Sequence, residues 1–166
     1  DRAPKGPVKI HVTQQMKGAK PTQNINYQTG TGDWMTEMVD PASMPWTLVT
    51  GDVMYVSSDK GKSWKKLRDV DTAQNTQSML DDMKAAAKAA QNVTCGQEEV
   101  DGVTYTTVQA DYALPKLKSA HTDKFWINAE TGWVAKSETL TRMSGIEMTA
   151  TQVIEKAPGL TLPSPP

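Results

Sequence analysis

One thiol, two imidazoles and scattered hydroxyls and carboxylates are what this 166-residue chain offers for chemistry. Cys95 is the only cysteine, which excludes a disulfide framework and any multi-cysteine zinc site. It stands beside Gly96 in a strand-like stretch and is expected to be buried and inert. His11 alternates with Ile10 and Val12, so it is expected to face solvent, while His121 falls in a polar stretch read as a loop. Neither histidine has a second ligand at metal-binding spacing. Ser63, in Gly61-Lys62-Ser63-Trp64-Lys65, lacks the second glycine of a nucleophile elbow. Glu98, Glu99 and Asp101 crowd one hairpin without the regular spacing of a calcium loop, and they read as solvated charge. Catalysis, a metal and a cofactor are therefore not expected. Cys95, His11, His121 and Ser63 are expected to lie apart.

The sharpest local pattern is Ser57-Ser58-Asp59-Lys60-Gly61-Lys62-Ser63-Trp64, which resembles the Asp-box of sialidase propellers with Ser63 in place of Thr. Asp and Gly in that motif shape a hairpin turn with the Trp packed beneath it. Propellers repeat the motif blade by blade, and here it occurs once, so an ordinary hairpin is the preferred reading over a glycosidase remnant.

The elements that would carry these residues follow from composition and period. Apolar residues make up 37% of the chain, less than a sheet buried on both faces requires, so one-sided antiparallel strands are expected. Charges nearly cancel, 18 basic against 19 acidic, and the short run Lys62, Lys65, Lys66, Arg68 is a solvated strand face, not a nucleic-acid stripe. Nor does any stretch approach the run of about 20 apolar residues that spans a bilayer. Met outnumbers Leu, which suits soft, adaptable apolar surfaces. Two-residue alternation gives six strands before Asp69, joined by turns such as Gly51-Asp52. Residues 72–91 then read as a helix whose Met79, Leu80, Met83, Ala86, Ala87 and Ala90 form one stripe, capped by Asp71 or Thr72. About five more strands follow. Asp101-Gly102 and the Ala-Glu-Thr-Gly segment at 129–132 make hairpins, and Leu114 to Asp123 is read as irregular. One domain is expected over residues 1–166, with its core at about 8–156 and a proline-rich tail at 157–166.

This order of pieces, with Val100-Asp101-Gly102-Val103-Thr104-Tyr105 and Trp126-Ile127-Asn128-Ala129-Glu130-Thr131-Gly132 followed by Lys136-Ser137-Glu138, resembles the LolA/LolB lipoprotein-carrier superfamily, including its LppX/LprG- and RseB-type relatives. The likeness runs over about residues 8–156. It implies a mainly β, α+β fold: a curved antiparallel sheet forming an incomplete barrel, with a helix across its concave face. It also implies a periplasmic or cell-surface protein, with a signal peptide or lipid anchor removed, that carries or senses a lipid, acyl chain or other apolar ligand in the half-barrel. The alternative is a non-catalytic structural or protein-interaction module of the cell envelope whose cavity is filled. Two departures from the pattern stand out: the chain enters a strand by Val8 without a preceding helix, and Arg68 and Arg142 sit among charged or polar neighbours where some carriers bury an arginine. The expected cavity residues are Trp34, Trp46, Met54, Met79, Met83, Phe125 and Ile127. Expected partners are a lipid or lipoprotein acyl chain and an envelope protein, with no nucleic acid and no membrane span.

Overall fold

A computed structural model describes residues 6–165, the side chain of Lys116 apart. Residues 1–5 and Pro166 lie outside the described residues. Six strands come first: β1 (Val8–Met16), β2 (Thr22–Gln28), β3 (Trp34–Asp40), β4 (Trp46–Thr50), β5 (Val53–Ser57) and β6 (Lys65–Asp69). The helix α1 (Thr72–Lys88) follows, then β7 (Gln91–Val100), β8 (Val103–Leu114), β9 (Ser119–Asn128), β10 (Val134–Met143) and β11 (Ile146–Lys156). The strands are hydrogen-bonded in the order β6-β5-β4-β3-β2-β1-β11-β10-β9-β8-β7, so the antiparallel sheet is open, with β6 and β7 at its edges. The fold is mainly β with one helix, as expected.

Two corrections concern particular segments. Leu114 to Asp123, read as irregular, is strand on both sides of a short 3-10 turn at Pro115–Leu117. The helix stops at Lys88 instead of 91, because Gln91 already opens β7.

The chain divides into two compact units. One holds the residues up to Val12, Thr22–Met79 and those from Ile154 on; the other holds Thr13–Pro21 and Leu80–Val153. Six of the buried apolar side chains among the described residues belong to the first unit: Val8, Ile10, Val12, Met35, Leu48 and Val49. The period-2 burial of β1 follows from its alternating sequence. In β3 to β5, Met35 stands opposite Leu48 and Leu48 opposite Tyr55, while Trp34, Val49 and Met54 form the neighbouring row on the other face. Tyr27 donates to Glu37 Oε2 at 2.8 Å. Its phenol is pushed up to about 12, first by burial and then by that carboxylate.

The Asp-box-like segment is a built turn. Ser57 Oγ donates to Asp59 Oδ1 at 2.7 Å and accepts the Gly61 N–H at 2.8 Å. Asp59 also takes the Ser63 N–H at 2.9 Å and the Ser63 hydroxyl. These donors hold its carboxyl well below the usual carboxylate range, the Ser63 hydroxyl contributing most. Gly61 has φ +82°, and a Cβ there would meet the Trp46 ring at 3.1 Å, so a glycine is required twice over. The segment is thus accounted for as turn chemistry, with Ser63 committed to Asp59.

The helix starts where the sequence says it should: Asp71 Oδ1 accepts the Gln74 N–H at 2.8 Å, the bond of an N-cap to the third helical residue. No residue of α1 is buried, and Met79 and Met83 are 53% and 43% exposed.

Ser57 is fully buried, and its hydroxyl both gives and receives a hydrogen bond. Replacing Ser57 with Ala therefore strands the Gly61 N–H and is expected to cost about 1–3 kcal/mol in urea unfolding. Ser58→Ala, at the adjacent exposed position, is expected to change stability by less than about 0.5 kcal/mol. Equal effects of the two substitutions would contradict the turn's role.

Candidate functional site

The second unit is built from long strands whose registers place each side chain on one of two faces. Asp101 and Gly102, with φ of 51° and 77°, close a two-residue hairpin that sets Val100 opposite Val103. Asn128 organises the β9–β10 turn: its Oδ1 accepts the Glu130 and Thr131 N–H groups at 3.1 and 2.9 Å and the Thr131 hydroxyl at 3.0 Å. That is the physical content of the Trp-Ile-Asn-Ala-Glu-Thr-Gly pattern. Asn128 is the side chain that ties the loop to the strand, and Gly132 takes the positive φ of 68°.

One face of β7–β10 is polar and centred on Trp126, the second unit's buried apolar side chain among the described residues. The Lys124 and Lys136 ammonium groups lie 4.6 and 4.3 Å from the indole centroid. The indole N–H donates to Glu98 Oε2 at 2.7 Å, and Lys124 pairs with Glu98 Oε1. Hydrogen bonds from Lys124 first, then from Trp126, hold the Glu98 carboxyl below its ordinary value. Beside this cluster, Asp111 accepts from Asn92 Nδ2 at 2.9 Å and Thr122 Oγ1 at 2.7 Å, and its carboxyl is lowered by both, Asn92 leading. Asn92, which opens the glycosylation-type sequence Asn92-Val93-Thr94, therefore has its side-chain amide engaged within the fold.

The other face of β8–β11 is different in kind. Its cross-strand rows run Val108–Phe125–Ser137–Gln152, Ala110–Asp123–Thr139–Ala150 and Tyr112–His121–Thr141–Met148, with Thr106 opposite Ile127. Val108, Ala110, Phe125, Ile127, Met148 and Ala150 are half-buried, none fully. At one end the polar groups converge. The His121 ring stacks on Tyr112 with centroids 4.8 Å apart, its Nε2 lies 2.8 Å from Ser119 Oγ, and its Nδ1 lies 3.1 Å from Thr141 Oγ1. Burial, followed by the charge of Asp123, drives the Tyr112 phenol far above its usual value. This face sets a group of apolar side chains, Val108, Ala110, Phe125 and Ile127, among hydroxyls and Asp123, with a hydroxyl–imidazole cluster at one end. Such a surface can hold an apolar chain and hydrogen-bond its polar end.

The register brings some expected cavity residues together and separates others. Phe125 and Ile127 share the apolar face of β9. In the first unit Trp34 and Met54 both neighbour Val49, whereas Trp46 stands on the opposite face of β4, beside Gly61. Met79 and Met83 are exposed on α1. His121 was read as a loop residue and is instead in mid-sheet. No apolar alternation marks this stretch as a strand, since Ser119, His121 and Asp123 on one face and Thr122 and Lys124 on the other are all polar. Cys95, expected to be buried, is exposed, because β7 is an edge strand and its thiol has no second strand beside it. His11 lies 3.7 Å from Glu155. The Ser119–His121 contact ends on a threonine at Nδ1 where a hydrolytic triad has a carboxylate. Among the described residues, no three His, Cys, Asp or Glu side chains are grouped as metal ligands.

No protein-family model and no curated protein matches the chain. Among solved structures, a LolA superfamily protein from Nitrosomonas europaea matches at 11% identity and a TM-score of 0.40, over 98% of this chain and 90% of that one. A DUF1329 family protein from Desulfovibrio piger matches at 12% identity and a TM-score of 0.41, over 95% and 88%. The chain is similar to these proteins.

The Glu98 cluster has a pH signature. A carboxylate held low in the folded state stabilises the fold above its unfolded value, about 4.3, and that contribution is lost as pH falls through the lower folded value. Glu98→Gln is therefore expected to lower Tm at neutral pH, with the gap to the parent closing as pH drops below about 4.3. A gap unchanged from pH 7 to pH 3 would show that the ion pair is not its source.

Proposed function

We propose that the protein is an extracytoplasmic carrier or sensor that binds a lipid, an acyl chain or another apolar ligand on the Phe125–Ile127 face of β8–β11. The observation that carries this reading is the unequal treatment of the two faces. One is closed around Trp126 by the Lys124–Glu98 ion pair and two cation–π contacts, whereas the other holds Val108, Ala110, Phe125 and Ile127 half-buried, with Asp123, Ser137 and Thr139 among them, beside the Tyr112–His121–Ser119 cluster. The sequence resemblance to the LolA/LolB superfamily, resting on the two hairpin motifs, points to the same ligand class. Phe125 and Ile127 serve as floor residues. Trp34 and Met54 with Val49 offer a further apolar patch in the first unit. Met79 and Met83, flexible and exposed, are available to an apolar ligand from α1, and Trp46 supports the β5–β6 turn. Placement in the periplasm or at the cell surface belongs to this proposal. No described helix is long and apolar enough to cross a membrane.

A fluorescent fatty acid titrated into the protein is expected to gain emission on binding. Ala110→Trp, which fills the apolar face between Val108 and Tyr112, is expected to weaken uptake at least about tenfold, or about 1.4 kcal/mol. Gln109→Trp, one residue away on the other face, is expected to leave it unchanged. No uptake by the parent protein, together with no lipid recovered by mass spectrometry from the natively purified protein, would sink the proposal.

A further inference from the structure

The two edges of the sheet are defended unequally. β6 is five residues long with a bulge, and four of the five, Lys65, Lys66, Arg68 and Asp69, are charged. Short length, bulges and lysines are how natural sheets keep edges from pairing. β7 has ten residues and contains no Lys, Arg or Pro, and only Glu98 is shielded from solvent to any degree. Its bulge lies at the start, between Gln91 and Thr94, leaving Thr94–Val100 as a regular free edge.

The hairpin geometry says which backbone groups of that edge are free. In a two-residue hairpin the residues flanking the loop form a hydrogen-bonded pair, and such pairs alternate with non-bonded ones. Val100 pairs with Val103, so Val100, Glu98, Gly96 and Thr94 direct their N–H and C=O groups towards β8. Cys95, Gln97 and Glu99 direct theirs outward. This outward set is symmetric about Gln97, which makes it complementary to itself in an antiparallel pairing. We propose that β7 is a self-association edge through which two copies of the chain pair antiparallel about a two-fold axis at Gln97.

The two-fold register uses every outward group. Gln97 exchanges two hydrogen bonds with Gln97 of the second copy, and Cys95 exchanges two with its Glu99, in both directions, giving about six bonds. Charge agrees with this pairing. The acidic end of one β7 meets the neutral end of the other: Glu98 stands opposite Gly96, and Glu99 opposite Cys95. No carboxylates face each other directly, and the diagonal approach of the two Glu98 groups is offset by the Lys124 bound to each. Gly96, with no side chain, leaves room for the opposing Glu98.

The test is sedimentation equilibrium of the full chain from about 10 µM to about 1 mM. The parent is expected to form a dimer. Gln97→Lys places like charges directly opposite, and Gln97→Pro removes an outward N–H that β8 does not use. Each is expected to raise the dimer Kd at least about tenfold with an unchanged circular dichroism spectrum. In a Cys95→Ser background, Gln97→Cys is expected to crosslink two chains under copper–phenanthroline oxidation. Hydrogen-bonded pairs lie about 5.5 Å apart at Cα, within disulfide reach. Gln109→Cys in the same background is expected not to crosslink. A parent that stays monomeric throughout, a dimer indifferent to Gln97→Lys, or crosslinking as strong at position 109 as at 97 would each overturn the proposal.

Discussion

Register is the constraint on which the rest of this protein depends, and register is set by turns. Three hairpins are closed by two-residue loops with both central residues at positive φ: Gly51-Asp52, Asp101-Gly102 and Ser144-Gly145. Each sets its flanking residues directly opposite one another, Thr50 with Val53, Val100 with Val103 and Met143 with Ile146. Such loops match the right-handed twist of the strands they join, so each fixes a register instead of merely permitting one. A slip of one residue would exchange the Trp126 ion-pair face with the Phe125 face along the whole strand. Function on either face is therefore decided first at a few turn residues remote from it.

Those turn residues are also why much of the fold could be read from the sequence. Asp-Gly and Gly-Asp announce themselves, and between them period-2 patterns such as Val8, Ile10, Val12 need little interpretation. The helix was legible from its three- and four-residue spacing and its Asp71 cap. What resisted reading was the first half of β9. Ser119 to Asp123 carries almost no apolar signal. It is a strand because β8 and β10 pair with it on both sides and satisfy its polar groups, Thr122 with Asp111 and His121 with Thr141. Tertiary pairing overrode local propensity there.

The candidate site was only partly legible, for a related reason. Residue type identified Phe125, Ile127, Trp34 and Met54 as apolar, but assigning them to a face needs strand partners, which a single strand does not reveal. Trp46 illustrates the difficulty: three residues from Val49, it lies on the other face and serves the Gly61 turn. Cys95 illustrates it again. Strand membership suggested burial, whereas edge position is a property of the whole topology and leaves the thiol exposed.

The distribution of burial links these points to function. Six of the seven buried apolar side chains among the described residues lie in the first unit, and the second relies on Trp126 alone. A sheet whose apolar face is only half-buried has forgone part of the stabilisation, about 25 cal/mol per Å², that full burial would supply. An apolar ligand seated on that face recovers some of it. Because such a ligand binds the folded state and not the unfolded one, its affinity adds directly to stability, by about 2.7 kcal/mol at a hundredfold excess over Kd. A packed core in the same place would give the fold that stability permanently and leave nothing for a ligand to contribute. Under the proposed function, the low apolar content of the sequence and the half-buried Phe125–Ile127 face are two expressions of one arrangement, in which a bound apolar ligand would supply part of the stability.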